Sequence, residues 1–83
     1  MTEIENRVLK IISPYCKNTD ALKSVQANSR LLQDLGVNSA RLVDIILEFE
    51  DEFSIAIDDA TADSVRTYGD AISMVRQMTE RVS

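Results

Sequence analysis

The chemistry this chain could support starts at Ser39. It follows the glycine turn Asp34-Leu35-Gly36-Val37-Asn38 and opens an amphipathic stretch crowded with carboxylates. A hydroxyl there is a point where a group could be attached, and the anionic helix behind it is a surface that a basic partner could grip. The residues alone also allow a plainer role. A serine at a helix start satisfies an orphan backbone N–H, worth about 1 kcal/mol over alanine. Nucleophilic catalysis finds little support: the chain has no histidine to act as a base, and Lys10, Lys17 and Lys23 are remote in sequence. The string is not the Gly-x-Ser-x-Gly elbow of hydrolases, because no glycine follows the serine. Cys16 stands alone, so no internal disulfide forms, and without histidine no zinc site of the usual Cys/His type can be built. Asp58, Asp59 and Asp63 lack the glycine and closing glutamate of a calcium loop. The expectation is a protein that is acted upon, with no catalytic residues, no metal and no enzymatic activity of its own.

The charge distribution sharpens this. The formal net charge is −5, which argues against nucleic acid or an anionic membrane as partner, since both need clustered Lys and Arg. Residues 1–37 and 64–83 each carry a net +1, whereas residues 38–63 carry eight carboxylates against Arg41 alone, a net −7. The acidic excess sits directly behind Ser39. With 83 residues there is room for one domain, 1–83, and one core, which buries about 60–65% of the surface exposed on unfolding. The chain opens without a signal-like apolar run and has no stretch long enough to span a bilayer, so a soluble, cytoplasmic monomer is expected.

The elements that must position the serine can be read from periodicity. Thr2-Glu3-Ile4-Glu5 fits a capping box. Ile4, Val8, Ile11 and Ile12, with Leu9, recur at helical spacing up to about residue 13, where Pro14 ends or kinks the helix. Residues 15–37 form a long connection with a turn of helix around 20–25 and an apolar anchor at Leu31, Leu32 and Leu35; loops of this length in small domains tend to be functional. After Gly36, Asn38 or Ser39 can cap the next helix, in which Leu42, Ile46, Phe49 and Phe53 form a buried stripe. Arg41, Asp44, Glu48 and Asp51 form a polar stripe, and Val43 and Leu47 beside it are more apolar than a solvated flank requires. Glu50 and Glu52 read as solvated, and Arg41 could pair with Asp44 or Glu48. Ile55 and Ile57 lie in a short link, and Asp58 or Asp59 caps a brief helical turn. Thr67-Tyr68-Gly69-Asp70 opens the last helix, with Ala71, Ile72, Val75, Met78 and Val82 inward. Cys16, Tyr15 and Tyr68 read as packing. The fold expected is all-α, a small four-helix bundle of three longer helices and one short one with a long first loop.

Asp-Leu-Gly-x-x-Ser followed by an acidic amphipathic helix resembles the acyl carrier protein family, and the likeness runs over nearly the whole chain. It includes the long first loop, the acidic run closed by Phe53, the Ile57 link and the last helix through Ile72. The resemblance implies that Ser39 is esterified by 4′-phosphopantetheine from coenzyme A, whose thiol carries acyl groups as thioesters. It implies docking of partners at Val43, Asp44, Leu47, Glu48 and Asp51. The partners would be a phosphopantetheinyl transferase and acyl-loading and acyl-processing enzymes of fatty acid, polyketide or other specialised lipid biosynthesis, each bringing a basic patch.

The usual Asp-Ser-Leu triplet of the family is replaced here by Asn38-Ser39-Ala40, and Arg41 stands where an acidic or polar residue is common. Asn38 keeps the capping ability of aspartate and drops its charge, Ala40 shrinks an apolar anchor, and Arg41 reverses charge at the rim of the docking face. These changes suggest a specialised carrier with dedicated partners. Two alternatives stay open: an aminoacyl or peptidyl carrier of a nonribosomal-type pathway, and an interaction module that kept the fold and lost the modification.

Overall fold

The apolar spacing of the first, middle and last segments gives three helices that can each bury one face, and in the computed structural model of the chain, which describes residues 3–80, they do so against one another. The order is α1 (Glu3–Ile12), α2 (Thr19–Lys23), α3 (Leu42–Phe53), α4 (Asp59–Asp63) and α5 (Tyr68–Glu80), with single 3-10 turns at Ser13–Tyr15 and Ser39–Arg41. The all-α bundle expected from the sequence is present, with α1, α3 and α5 as the longer helices. The helical turn foreseen in the first loop is α2, which begins at residue 19 because the Asn18 side chain accepts a hydrogen bond from the Ala21 N–H at 3.1 Å.

Pro14 ends α1 as a regular helix, and the chain tightens into a 3-10 turn through it. Thr2 and Val82 lie outside the described residues, so the capping box at the start and the last inward position are untested. The Glu5 carboxylate accepts a hydrogen bond from Arg76 at 2.8 Å, linking α1 to α5. At the start of α5 the second capping box forms as read: the Asp70 N–H donates to Thr67 Oγ1 and the Thr67 N–H donates to Asp70 Oδ2, both at 3.1 Å. Asp58 caps α4 by accepting from the Thr61 N–H at 2.8 Å.

Phe49, Ile12, Leu31, Leu35, Ile45, Val8 and Val75 are the largest side chains fully withdrawn from solvent. On α3 the buried arc is wider than the single stripe expected. Ile45 joins Ile46 and Phe49 at its centre, while Leu42 and Phe53 are only partly buried, because α3 packs against both α1 and α5. Met74 is likewise buried on α5. Leu31 and Leu35 anchor the first loop, but Leu32 does not: it is 42% exposed. The turn over residues 30–34 sends positions 31 and 35 inward and position 32 out.

The first loop is strapped to the start of α5. The Leu31 N–H donates to Arg66 O at 3.0 Å, the Tyr68 N–H to Ser29 O at 2.9 Å and the Gly69 N–H to Ala27 O at 2.8 Å. At Gly69 a Cβ would lie 2.8 Å from the Ala27 carbonyl oxygen, so this approach requires glycine. Cys16 is buried and its thiol, which donates to Ile12 O, is pushed up in pKa by that burial, which suits the packing role read for it. Among the described residues no helix is long and apolar enough to cross a membrane.

Candidate functional site

The chain is delivered to Ser39 by a stiff turn. The Asp34 carboxylate accepts from the Arg30 backbone N–H at 2.8 Å and from its guanidinium at 3.1 and 3.2 Å. These bonds, the side-chain one foremost, hold the Asp34 pKa below its ordinary 3.8. Gly36 has a φ of +75°, and a Cβ on it would sit 3.2 Å from both Asn18 N and Lys17 Cβ. Val37 is buried, so the chain surfaces at Asn38.

Asn38, not Ser39, is the cap. Its Oδ1 accepts from the Ala40 N–H at 2.9 Å and its carbonyl from the Arg41 N–H at 2.8 Å, which folds Ser39–Arg41 into the 3-10 turn that leads into α3. The plainer role that the sequence allowed for Ser39 is therefore taken by its neighbour. Ser39 is exposed, and among the described residues its hydroxyl makes no hydrogen bond. Two of the N–H groups that could have faced an anion at this helix start are occupied by Asn38. What remains for an anion is the dipole of the 12-residue α3 just beyond.

Ser39 also borders a groove of about 310 Å³ between α3 and α4, whose apolar lining includes Leu42, Val43, Ile46, Leu47, Ile57 and Ala62. A larger hollow of about 560 Å³ continues past Leu42 and Ala62 towards Leu31, Leu32 and Val65. An attached arm therefore meets an exposed hydroxyl free of structural duty, with apolar relief beside it. These features fit a serine-linked phosphopantetheine.

The residues expected to dock partners share one outer face of α3. Val43 is 64% and Leu47 56% exposed, unusual for large apolar side chains. Arg41 pairs with Asp44 at 3.1 Å. Glu48 accepts a hydrogen bond from the Tyr15 hydroxyl. Tyr15 was expected only to pack; it does pack against the core, and its phenol also reaches this face. Its pKa is raised, first by the bond to Glu48, then by partial burial and the nearby charges of Glu48 and Asp44. The Asp51 carboxylate carries no hydrogen bond or ion pair among the described residues.

Two neighbouring acids depart from expectation. Glu50 is not simply solvated: its carboxylate accepts the Ile57 N–H at 2.8 Å and closes the link between α3 and α4. Glu52 is tied to α1, where Arg7 donates to its carboxylate at 2.7 Å and to its backbone carbonyl at 3.0 Å. The second bond satisfies an orphan carbonyl near the end of α3. Arg7 also stacks 4.7 Å from the centre of the Phe53 ring. Helical spacing already sets these two acids apart from the docking stripe; only the fold shows the partners that tie them down.

Comparison with known proteins gives the family. The family model for the phosphopantetheine attachment site matches residues 6–75. A Schizosaccharomyces pombe protein named as a mitochondrial acyl carrier protein is 38% identical over 78 residues, covering 94% of this chain and 69% of that protein. The crystal structure of an acyl carrier protein from Thermotoga maritima superposes with a TM-score of 0.75 at 25% identity, covering 98% of this chain and 96% of that one. The hexanoyl acyl carrier protein of the actinorhodin polyketide synthase of Streptomyces coelicolor shares the fold, with a TM-score of 0.80 at 18% identity over 100% of this chain and 95% of that one. The chain belongs to the acyl carrier protein family, whose members are carriers rather than enzymes and take 4′-phosphopantetheine as their cofactor.

Proposed function

We propose that Ser39 is the attachment residue and that the protein shuttles acyl groups between enzymes of a specialised lipid, fatty acid or polyketide pathway. The observation that carries this reading is the division of labour at positions 38 and 39. Asn38 takes over the capping, which leaves an exposed serine hydroxyl with no structural task. When bound, the cofactor supplies a thiol that holds the acyl group as a thioester. The chain's own part is to present Ser39 Oγ, to offer the dipole of α3 to the linking phosphate, and to give the arm an apolar groove beside it. During loading, Oγ forms a bond to the phosphorus of coenzyme A's phosphopantetheine, the pyrophosphate link breaks and the adenosine bisphosphate leaves. With no histidine in this chain, the serine proton passes to a base of the transferase.

The docking face is read as Val43, Asp44, Leu47, Glu48 and Asp51. Exposed Val43 and Leu47 offer apolar contact, and the carboxylates steer a basic patch into register. Such steering quickens encounter without making release slow, as a shuttle requires. The partners in this reading are a phosphopantetheinyl transferase and acyl-processing enzymes, the carrier acts as a monomer and as one domain, and its compartment is the cytoplasm. A fluorescent fusion of the protein is expected in the cytoplasm, and an organellar signal would overturn that compartment.

The modification is tested by incubating the protein with coenzyme A and a broad-specificity phosphopantetheinyl transferase and weighing it intact. Wild type gains the mass of one phosphopantetheine and Ser39→Ala gains none. A wild-type chain that stays unmodified with several transferases, including that of its own organism, would favour the unmodified interaction module.

A further inference from the structure

Two of the three carboxylates on the docking face are already engaged from within the chain. Arg41, 65% exposed in its side chain, holds Asp44 at 3.1 Å, and the Tyr15 hydroxyl donates to Glu48. These groups form one electrostatic cluster, because the Tyr15 phenol also feels both Asp44 and Arg41. Asp51 stands free at the far end among the described residues. The face is therefore bipolar. It presents a guanidinium two residues from Ser39, exposed Val43 and Leu47 in the middle, and carboxylates at Glu48 and Asp51, about 15 Å from Arg41 to Asp51 by helical rise.

We propose that this face selects partners whose patch is bipolar in the same order, with a carboxylate opposite Arg41 and cations opposite Glu48 and Asp51. The proposal rests on the carrier reading above and names the kind of enzyme surface the carrier fits. Charge complementarity carries it. An exposed ion pair such as Arg41–Asp44 is weak and easily rearranged, so it does not bar partners by its own strength. The discrimination comes from juxtaposition: a continuous basic patch brings a cation against Arg41 next to the attachment serine, where like charges oppose docking. A partner carboxylate at that point gains what the basic patch loses.

The test uses wild type, Arg41→Ala and Arg41→Glu, each loaded from coenzyme A by a transferase with a uniformly basic docking patch. KM falls roughly three- to tenfold in Arg41→Ala and further in Arg41→Glu, with kcat nearly unchanged and the gap closing at high salt. A second arm reverses single Lys or Arg residues of the transferase patch to Glu; one such reversal lowers KM for wild type and not for Arg41→Ala. If KM is unchanged or rises in both Arg41 variants, or no patch reversal favours wild type, the bipolar face is wrong while the carrier reading stands. If none of the three chains is loaded by any transferase, the carrier reading itself fails and takes this proposal with it.

Discussion

At residue scale the decisive pair is Asn38 and Ser39. Both are common helix-start residues, and sequence alone gives no reason to prefer one as cap. The geometry assigns that role to Asn38, through bonds to the Ala40 and Arg41 N–H groups, and so leaves Ser39 unencumbered. Tyr15 is the other residue whose part is visible only in the fold. Its phenol is held protonated by Glu48, so its pKa lies above the ordinary 10.0. A raised pKa contributes stability that is complete below pH 10.0 and is lost as pH rises through the folded-state value. Ultraviolet titration of the tyrosinate band in the Tyr68→Phe background should show Tyr15 ionising above its ordinary value and returning towards it in Glu48→Gln. An unchanged midpoint in that variant would mean that Glu48 does not hold the phenol.

At the scale of elements, the site depends on how the first loop is pinned. The loop runs from the end of α1 to Asn38, and the strap to α5 is made where Gly69 meets Ala27. Gly69→Ala pushes a Cβ into a backbone carbonyl that cannot rotate away. It should lower stability by about 1–3 kcal/mol in denaturant unfolding. Stability equal to wild type would show that the loop yields at no cost. The helices themselves were largely legible in sequence, because apolar periodicity marks α1, α3 and α5, and capping chemistry at Asp58 and Thr67–Asp70 marks where α4 and α5 begin. Leu32 was not legible, since a loop without a repeat gives no rule for which side chain turns inward. Glu50 and Glu52 were not legible either. Glu52 finds its partner 45 residues away at Arg7, and Glu50 reaches Ile57 beyond the end of α3, where the helical pattern no longer applies.

At the scale of the whole molecule, the α1–α3–α5 core is a frame that keeps one serine and one face of α3 at the surface. Of the carboxylates in residues 38–63, Glu50 and Glu52 are drawn into the frame, Asp58 caps α4, and Asp44, Glu48 and Asp51 lie on the outer face of α3. Reversing Glu48 and Asp51 to lysine should therefore slow loading by roughly tenfold at low ionic strength, an effect that shrinks as salt is raised, while the far-ultraviolet helical signal stays intact. Loss of helical signal would mean that the face is structural. The candidate attachment site was readable because turn, serine and acidic helix are contiguous in sequence, and so was the order of charges from Arg41 to Asp51; the Tyr15 hydroxyl on Glu48 was not, because it comes from the far side of the first loop. Whether Ser39 carries the cofactor is read from tandem mass spectrometry of the loaded, protease-digested protein. Phosphopantetheine is expected on the peptide containing Asn38-Ser39-Ala40, with fragment ions assigning it to Ser39. A cofactor mapped to any other residue, or a peptide spanning Ser39 that stays unmodified while the intact mass shifts, would contradict that assignment.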